Sequence, residues 1–147
     1  MRTTAKLMLD TVEAPGIRFR AGSDDPSLPT ILLDSGQGAI APSPVVAFLA
    51  SLGACGGMDV IGILRKKRQD VTGYEIEVVG ERREEHPRAV TSIEVIHRVR
   101  GRNLSPQAVE EAIRLADTKY CSVHATLEHA VPIQSRYEIV PEDEAGR

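Results

Sequence analysis

Six stretches of the chain favour β-strands, and apolar and polar residues alternate weakly in the first and clearly in the two longest, which is the pattern of half-buried strands. Turn-forming residues at 14–16 and 23–26 separate the first three stretches, so these predict a small antiparallel sheet. A polar loop at 84–87 joins the fourth and fifth, which predicts a long hairpin. Residues 141–147 predict a frayed acidic tail. The predicted strands cover residues 6–12, 17–21, 30–33, 71–83, 89–100 and 131–140.

Two Ser-Pro pairs precede stretches in which apolar residues recur with helical spacing. At Ser43-Pro44, and again at Ser105-Pro106, the serine is a good N-cap and the proline suits the first helical turn. The first predicted helix extends to about Lys67, where a cluster of basic residues complements the helix dipole. The second follows the long hairpin.

A third, short helix is predicted at 122–129, before the last strand. The length of 147 residues is enough for one domain with a core and too small for two ordinary ones, so we expect a single domain over 1–147. Glycines around Cys55 weaken the first helix, and we expect that they let another backbone approach it closely.

Composition excludes several classes of function. Hydrophobic residues make up 41% and charged residues 27%, as in globular proteins. The net charge is −3 and aromatic residues are only 3%, so neither the basic stripe nor the aromatic platform of a nucleic-acid-binding protein is present. The apolar stretch 45–64 is broken by Ser51, Asp59 and glycines, which favours a buried helix over a membrane span. Without an apolar signal sequence, we expect a cytoplasmic protein.

The two cysteines, Cys55 and Cys121, are the candidate nucleophiles. A reducing cytoplasm keeps thiols free unless they serve catalysis or sensing. Cys121 precedes the short third helix, whose free amides favour a thiolate, and Lys119 and His124 add positive charge, so this pattern predicts Cys121 as the more easily ionised thiol. Cys55 in the middle of a helix gains nothing from a terminus. The alternative is that both are inert buried cysteines.

Other polar residues are weaker candidates. Asp59 lies one turn after Cys55 on the same helix face, and we expect it to pair with Arg65 or an arginine of a strand. His124 is expected to be a surface histidine. Zinc binding by His124 with the two cysteines would need a fourth ligand, and paired short-spaced motifs are missing, so we expect no metal and no cofactor.

Residues 41–55 resemble the first cysteine helix of the OsmC/Ohr family, the osmotically inducible and organic hydroperoxide resistance proteins. Residues 119–124 look like that family's second cysteine segment, and the resemblance covers nearly the whole chain. It implies an α+β OsmC-like fold of antiparallel sheets around a long cysteine-bearing helix. It also implies an intertwined homodimer with an active site at the dimer interface, and a thiol peroxidase that acts on organic hydroperoxides in oxidative stress defence.

The resemblance assigns first attack to Cys55, against the dipole argument. The Cys55 thiolate would cleave the peroxide O–O bond, releasing an alcohol and leaving a sulfenic acid. Cys121 would resolve that acid, giving a disulfide and water. A dithiol reductant would then restore both thiols.

The family's peroxidases also hold an arginine against the thiolate with a glutamate in the first turn of the cysteine helix. Arg18 and Arg20, which strand alternation places on one face, are the candidates, and their alternative role is that of exposed solubilising charges. Val45 occupies the position of the glutamate. Two alternatives therefore stay open: a non-enzymatic protein that binds an apolar or acyl ligand at the dimer interface, and a thiol redox sensor.

Overall fold

The computed structural model describes residues 1–10 and 17–142 and confirms the α+β fold. The chain divides into two compact units, Met1–Phe48 and Leu49–Arg147, and a single domain over 1–147 stays a prediction. The strands are β1 (Ala5–Leu9), β2 (Ile17–Ser23), β3 (Ile31–Ser35), β4 (Asp70–Arg82), β5 (Val90–Arg102) and β6 (Ile133–Pro141). The helices are α1 (Pro44–Lys66), α2 (Pro106–Leu115), a π-helical turn (Ala116–Tyr120, the π-turn) and α3 (Ser122–Leu127).

The N-terminal unit contains an antiparallel sheet in the order β1-β2-β3, as predicted. Arg18 and Arg20 share one face of β2, which confirms the alternation. The predicted turn at 14–16 and the predicted end of the first strand at 11–12 lie outside the described residues. The same holds for the part of the predicted acidic tail at 143–147.

The other face of this sheet is apolar, and its large side chains are exposed to solvent. Its large side chains are between 38% and 67% exposed. We call this surface the open apolar face; its members are Leu7, Leu9, Ile17, Phe19 and Ile31. A contiguous apolar surface of this kind is typical of a face that another surface covers.

The C-terminal unit contains a sheet in the order β4-β5-β6. β4 and β5 pair antiparallel, which confirms the long hairpin. β5 and β6 pair parallel, so the expectation of antiparallel sheets is wrong for this pair. The reason is the connection: α2, the π-turn and α3 form a crossover that returns the chain in the same direction.

An aliphatic core lies between α1, α2 and the second sheet. Val60 and Leu64 of α1, Val99 of β5, and Val109 and Ala112 of α2 are fully buried. Burying one such valine or leucine side chain stabilises the fold by roughly 1.5–3 kcal/mol. This unit therefore has its own hydrophobic core.

Two glycines of α1 let β4 pack against the helix. A Cβ atom at Gly53 would lie 2.9 Å from Val78 Cγ2, and one at Gly57 would collide with Ile76 Cδ1. The neighbours are side chains, whereas we expected a backbone. Gly62 faces open space, so packing does not explain that glycine.

By length and composition alone, α1 is apolar enough to cross a membrane. Core helices of soluble proteins pass the same test. Because Val60 and Leu64 are fully buried in the core of the C-terminal unit, we interpret α1 as a core helix, as its polar interruptions predict.

Candidate functional site

The fold brings the two cysteines together. The sulfur atoms of Cys55 and Cys121 lie within 4.8 Å of each other, and both thiols are free. Cys55 is partly exposed on α1, whereas Cys121 is only 2% exposed. The predicted meeting of the two cysteines is thus observed, and a disulfide between them stays a prediction.

The π-turn and α3 position the Cys121 sulfur. The Cys121 N–H donates to the carbonyl of Ala116 at 2.8 Å, closing the wide turn. Cys121 is then the N-cap of α3, and its sulfur accepts a hydrogen bond from the His124 N–H at 3.3 Å. Short π-helical turns of this kind are frequent at functional sites.

Hydrogen bonds favour the thiolate of Cys55. Partial burial tends to raise the pKa of Cys55, but donors from the α3 start together lower it below its ordinary value. These donors are the N–H groups of Val123 and Ser122, the Ser122 hydroxyl 3.9 Å from the sulfur, and the Cys121 thiol. Cys55 is therefore the thiol with the stabilised anion.

Burial works against ionisation of Cys121. It raises the pKa of Cys121 to about 11, although the His124 N–H lowers it; the neighbouring Cys55 raises it further. The prediction that Cys121 is the more easily ionised thiol is therefore wrong. α3 has only six residues, and the lost hydration of a buried sulfur outweighs the amides at its start.

A polar pair of partly buried Tyr74 and buried His97, missed by the sequence analysis, lies in the sheet of this unit. The Tyr74 hydroxyl and His97 Nδ1 form a short hydrogen bond, and their rings stack 5.9 Å apart. Burial raises the pKa of Tyr74 and lowers that of His97, while the charge of Asp117 raises both. The Tyr74 ring carbon Cε1 lies 3.7 Å from the Cβ position of Gly57, which places the pair beneath the helix of Cys55.

His124 belongs to this buried region as well. It is 7% exposed, so the prediction of a surface histidine is wrong. Its Nδ1 lies 3.3 Å from Asp117 Oδ1, and its Nε2 lies 3.7 Å from Glu128 Oε2. The π-turn supplies Asp117, which helical periodicity alone did not place next to α3.

Arg18 is held by a carboxylate of its own sheet. Its Nε and Nη2 donate to Asp34 Oδ2 at 3.0 and 2.8 Å, and Asp34 is 1% exposed. Hydrogen bonds from the Ile40 N–H, which has the larger effect, and from Arg18 hold the pKa of Asp34 below its ordinary value. Burial of the carboxylate alone would raise that pKa. Arg20 instead donates to Thr30 Oγ1 at 3.2 Å. Contact of either arginine with the Cys55 thiolate stays a prediction.

Asp59 faces the two thiols. One of its carboxylate oxygens lies within 4.8 Å of both sulfur atoms. In residues 1–10 and 17–142 it forms neither an ion pair nor a hydrogen bond, so the expected pairing with Arg65 or a strand arginine is not present. The sequence placed Asp59 on the correct helix face and assigned it the wrong neighbours.

Comparisons with known proteins identify the family of the chain. A family model described as OsmC-like protein matches residues 36–136, which include both cysteines. The chain belongs to the OsmC-like family. The resemblance noted from the cysteine segments is thereby confirmed, and so is the OsmC-like fold.

Relatives of this OsmC-like protein match three quarters or more of its length. Protein YhfA of Escherichia coli K12 is 46% identical over 110 residues, which are 75% of this chain and 82% of YhfA. The crystal structure of a hypothetical protein from Aquifex aeolicus is 32% identical, with a TM-score of 0.80, and covers 97% of this chain and 98% of that one. The organic hydroperoxide resistance protein OhrB of Bacillus subtilis is 19% identical, with a TM-score of 0.60 over 92% of this chain and 98% of OhrB, and shows the fold alone.

Proposed function

We propose that this OsmC-like protein is a cytoplasmic thiol peroxidase that reduces organic hydroperoxides during oxidative stress. The observation that carries the proposal is the thiol pair, with sulfur atoms within 4.8 Å and unequal acidity. The thiolate is the form of cysteine that attacks an electrophile, and hydrogen bonds favour it at Cys55. The OhrB fold supports the class of substrate.

The reaction consumes one hydroperoxide and two thiols. The Cys55 thiolate attacks the terminal peroxide oxygen, the O–O bond breaks, and the leaving alkoxide takes a proton to become an alcohol. Cys55 is now a sulfenic acid. Attack by the Cys121 sulfur then forms the disulfide and releases water, and a dithiol reductant restores both thiols by exchange.

Arg18 is our choice for the arginine that stabilises the Cys55 thiolate. In the family's peroxidases a glutamate on the cysteine helix holds this arginine, and Val45 replaces that glutamate here. The two hydrogen bonds from Arg18 to buried Asp34 supply the same restraint from β3. Arg20 donates to the Thr30 hydroxyl, and its contact with a carboxylate, Asp10 Oδ2 at 3.8 Å, is longer than both bonds of Arg18.

A homodimer is part of the proposal. The open apolar face has five large side chains that are at least 38% exposed. Three-stranded sheets gain stability when such a face is packed against another surface. A second copy of this chain, as in an intertwined dimer, would cover it.

The decisive experiment measures the alcohol that is formed and the thiols that are lost in the same reaction. Reduced protein is mixed with cumene hydroperoxide, and cumyl alcohol and free thiols are measured. We expect one alcohol per two thiols lost, faster than the corresponding reaction with hydrogen peroxide. C55S is expected to abolish alcohol formation, whereas C121S is expected to accumulate a sulfenic acid that dimedone traps.

The matched control is M58L, which removes an exposed sulfur one turn away on α1. It is expected to leave alcohol formation unchanged. Alcohol formation that persists in C55S, or no peroxide consumption with both thiols still titratable, would refute the proposal.

Oxidation without turnover when dithiothreitol is supplied would instead favour the redox sensor. Binding of an acyl ligand stays a prediction.

Unequal thiol acidity gives a separate test by alkylation. The pKa of Cys55 lies below its ordinary value and that of Cys121 near 11, so between these values Cys55 alone is ionised. At pH 8 we expect iodoacetamide to modify Cys55 at least about a hundredfold faster than Cys121, because the rate follows the thiolate fraction. Mass spectrometry of the digested protein measures both rates. Equal rates in the folded protein would contradict the assignment; equal rates after denaturation are the control.

A further inference from the structure

Three donor atoms converge beside α3. The sulfur atoms of Cys55 and Cys121 and one carboxylate oxygen of Asp59 all lie within 4.8 Å of one another. Cys55 and Asp59 are one helical turn apart on α1, so a regular helix holds two of the donors at a fixed spacing. Cys121 is fixed by the hydrogen bonds of the π-turn and of the α3 start.

Among residues 1–10 and 17–142, no protein partner explains the position of the Asp59 carboxylate. No ion pair or hydrogen bond of Asp59 occurs in the part of the chain that the structure describes. A carboxylate next to a thiolate is a repulsive arrangement, because two like charges at this distance disfavour each other. A cation bound between them removes that repulsion.

The chemistry of the donors selects the class of cation. Two thiolates exclude magnesium and calcium, which take oxygen ligands, and suit zinc and other thiophilic divalent ions. Reactive zinc sites typically have three protein ligands and leave the fourth position open to water. Tetrahedral zinc with sulfur at 2.3 Å separates two sulfurs by roughly 3.8 Å, so sulfurs that lie within 4.8 Å need to close by at most about 1 Å.

We propose that reduced Cys55, Cys121 and Asp59 bind a thiophilic divalent cation of the zinc class, one per chain. Binding converts two thiols and one M²⁺ into a bis-thiolate complex and releases the thiol protons to solvent. The sequence argued against zinc because Cys55, Cys121 and His124 lack a fourth ligand and paired short-spaced motifs are missing. In the structure the His124 ring contacts Asp117, Asp59 is the third donor, and water would take the fourth position. The proposal does not rest on peroxidase activity. It does imply that metal and disulfide exclude each other at this site.

Cobalt provides the probe, because Co²⁺ occupies zinc sites and absorbs light. Reduced, tag-free full-length protein is titrated with Co²⁺ under nitrogen. We expect one equivalent to produce a near-ultraviolet thiolate-to-cobalt charge-transfer band and the visible bands of tetrahedral cobalt. One equivalent of Zn²⁺ is expected to remove both.

Variants assign the ligands. D59N, which keeps the shape of the side chain, is expected to weaken cobalt binding at least about tenfold and to keep the charge-transfer band at saturation. C55S and C121S are each expected to lose about half of that band. D70N, at an exposed carboxylate that pairs with Arg102 on the sheet, is the matched control and is expected to bind like the parent protein.

Circular dichroism of each metal-free variant checks that the variant folds. If D59N does not fold, D59A is used in its place. A parent protein without a charge-transfer band at one equivalent overturns the proposal. So does a D59N or D59A variant with unchanged affinity, because Asp59 is then not a ligand. Because no peroxide is present, a failed titration leaves the peroxidase proposal intact, and a failed peroxide assay leaves this one intact.

Discussion

The two compact units of the chain place their apolar side chains differently. In the C-terminal unit, side chains from α1, β5 and α2 meet in a core with five fully buried members. In the N-terminal unit, the open apolar face is exposed, and the buried residue among those described is a carboxylate, Asp34. The C-terminal unit buries its apolar side chains in its own core, whereas the N-terminal unit exposes them to solvent.

This difference separates two sources of stability. The C-terminal unit is held by its own core, so the positions of Cys55 and Cys121 depend on packing within that unit. The N-terminal sheet keeps a fixed polar centre around Asp34 and leaves its apolar side chains for another surface. Mutations in the two units should therefore be detected by different measurements.

The largest effect is expected in the core of the C-terminal unit. L64A removes a fully buried leucine and is expected to lower the free energy of unfolding by about 2–5 kcal/mol, since it leaves a cavity. Urea unfolding followed by circular dichroism measures the change. L28A, at an exposed leucine of the N-terminal unit, is the matched control and is expected to cost less than about 0.5 kcal/mol. Similar losses for both variants would contradict the contrast between the units.

Next in size is the effect of charge on the open apolar face. I17D is expected to convert a dimer to a monomer, because a buried, unpaired carboxylate is costly at an interface. Light scattering at micromolar concentration measures the mass. L28D adds the same charge outside the face and is expected to stay dimeric. A monomeric parent protein would refute the proposed homodimer, and a dimeric I17D variant would place its interface elsewhere.

A smaller effect, confined to acid pH, is expected at the polar centre of the N-terminal sheet. Because the pKa of Asp34 is below its ordinary value, its contribution to stability is present above about pH 4 and is lost as pH falls through the lower, folded pKa. D34N is expected to reduce stability at pH 7 and to flatten its decline in acid. Thermal unfolding from pH 2 to pH 7 measures this. D24N, at an exposed turn residue, should leave the pH profile as in the parent.

The smallest effect is a stabilisation within α1. A Cβ atom at Gly62 meets nothing within 4 Å, so G62A is expected to raise the free energy of unfolding by up to about 1 kcal/mol. G57A makes the same change where the new atom presses on Ile76, and it is expected to destabilise the unit. Chemical unfolding of both variants provides the comparison. A gain for both would mean that β4 packs less closely on α1 than described.

Local pattern was enough for most of the fold. Predicted strands at 71–83 and 89–100 agree within two residues with Asp70–Arg82 and Val90–Arg102, because alternation and turn residues are local signals. Both Ser-Pro starts are confirmed, and Ser105 caps α2 by accepting from the Ala108 N–H. The parallel pairing of β6 could not be predicted, since it depends on the crossover between distant segments.

The site shows the same division between local and distant information. The residues themselves identified both cysteines as candidates, the family resemblance assigned first attack to Cys55, and the helical spacing put Asp59 on the face of Cys55. The acidity of Cys121 depends on its burial, which no local pattern records. Two further pairs join segments far apart in sequence: Tyr74 with His97, and Arg18 with Asp34.

The wide turn at Ala116–Tyr120 acts as a one-residue spacer in the chain. A π-turn holds one residue more than an α-turn, and each helical residue rotates the chain by about 100°. Shortening this segment by one residue would swing the second sulfur roughly a quarter turn away from the first. The distance between the two sulfur atoms therefore depends on the number of residues in this turn.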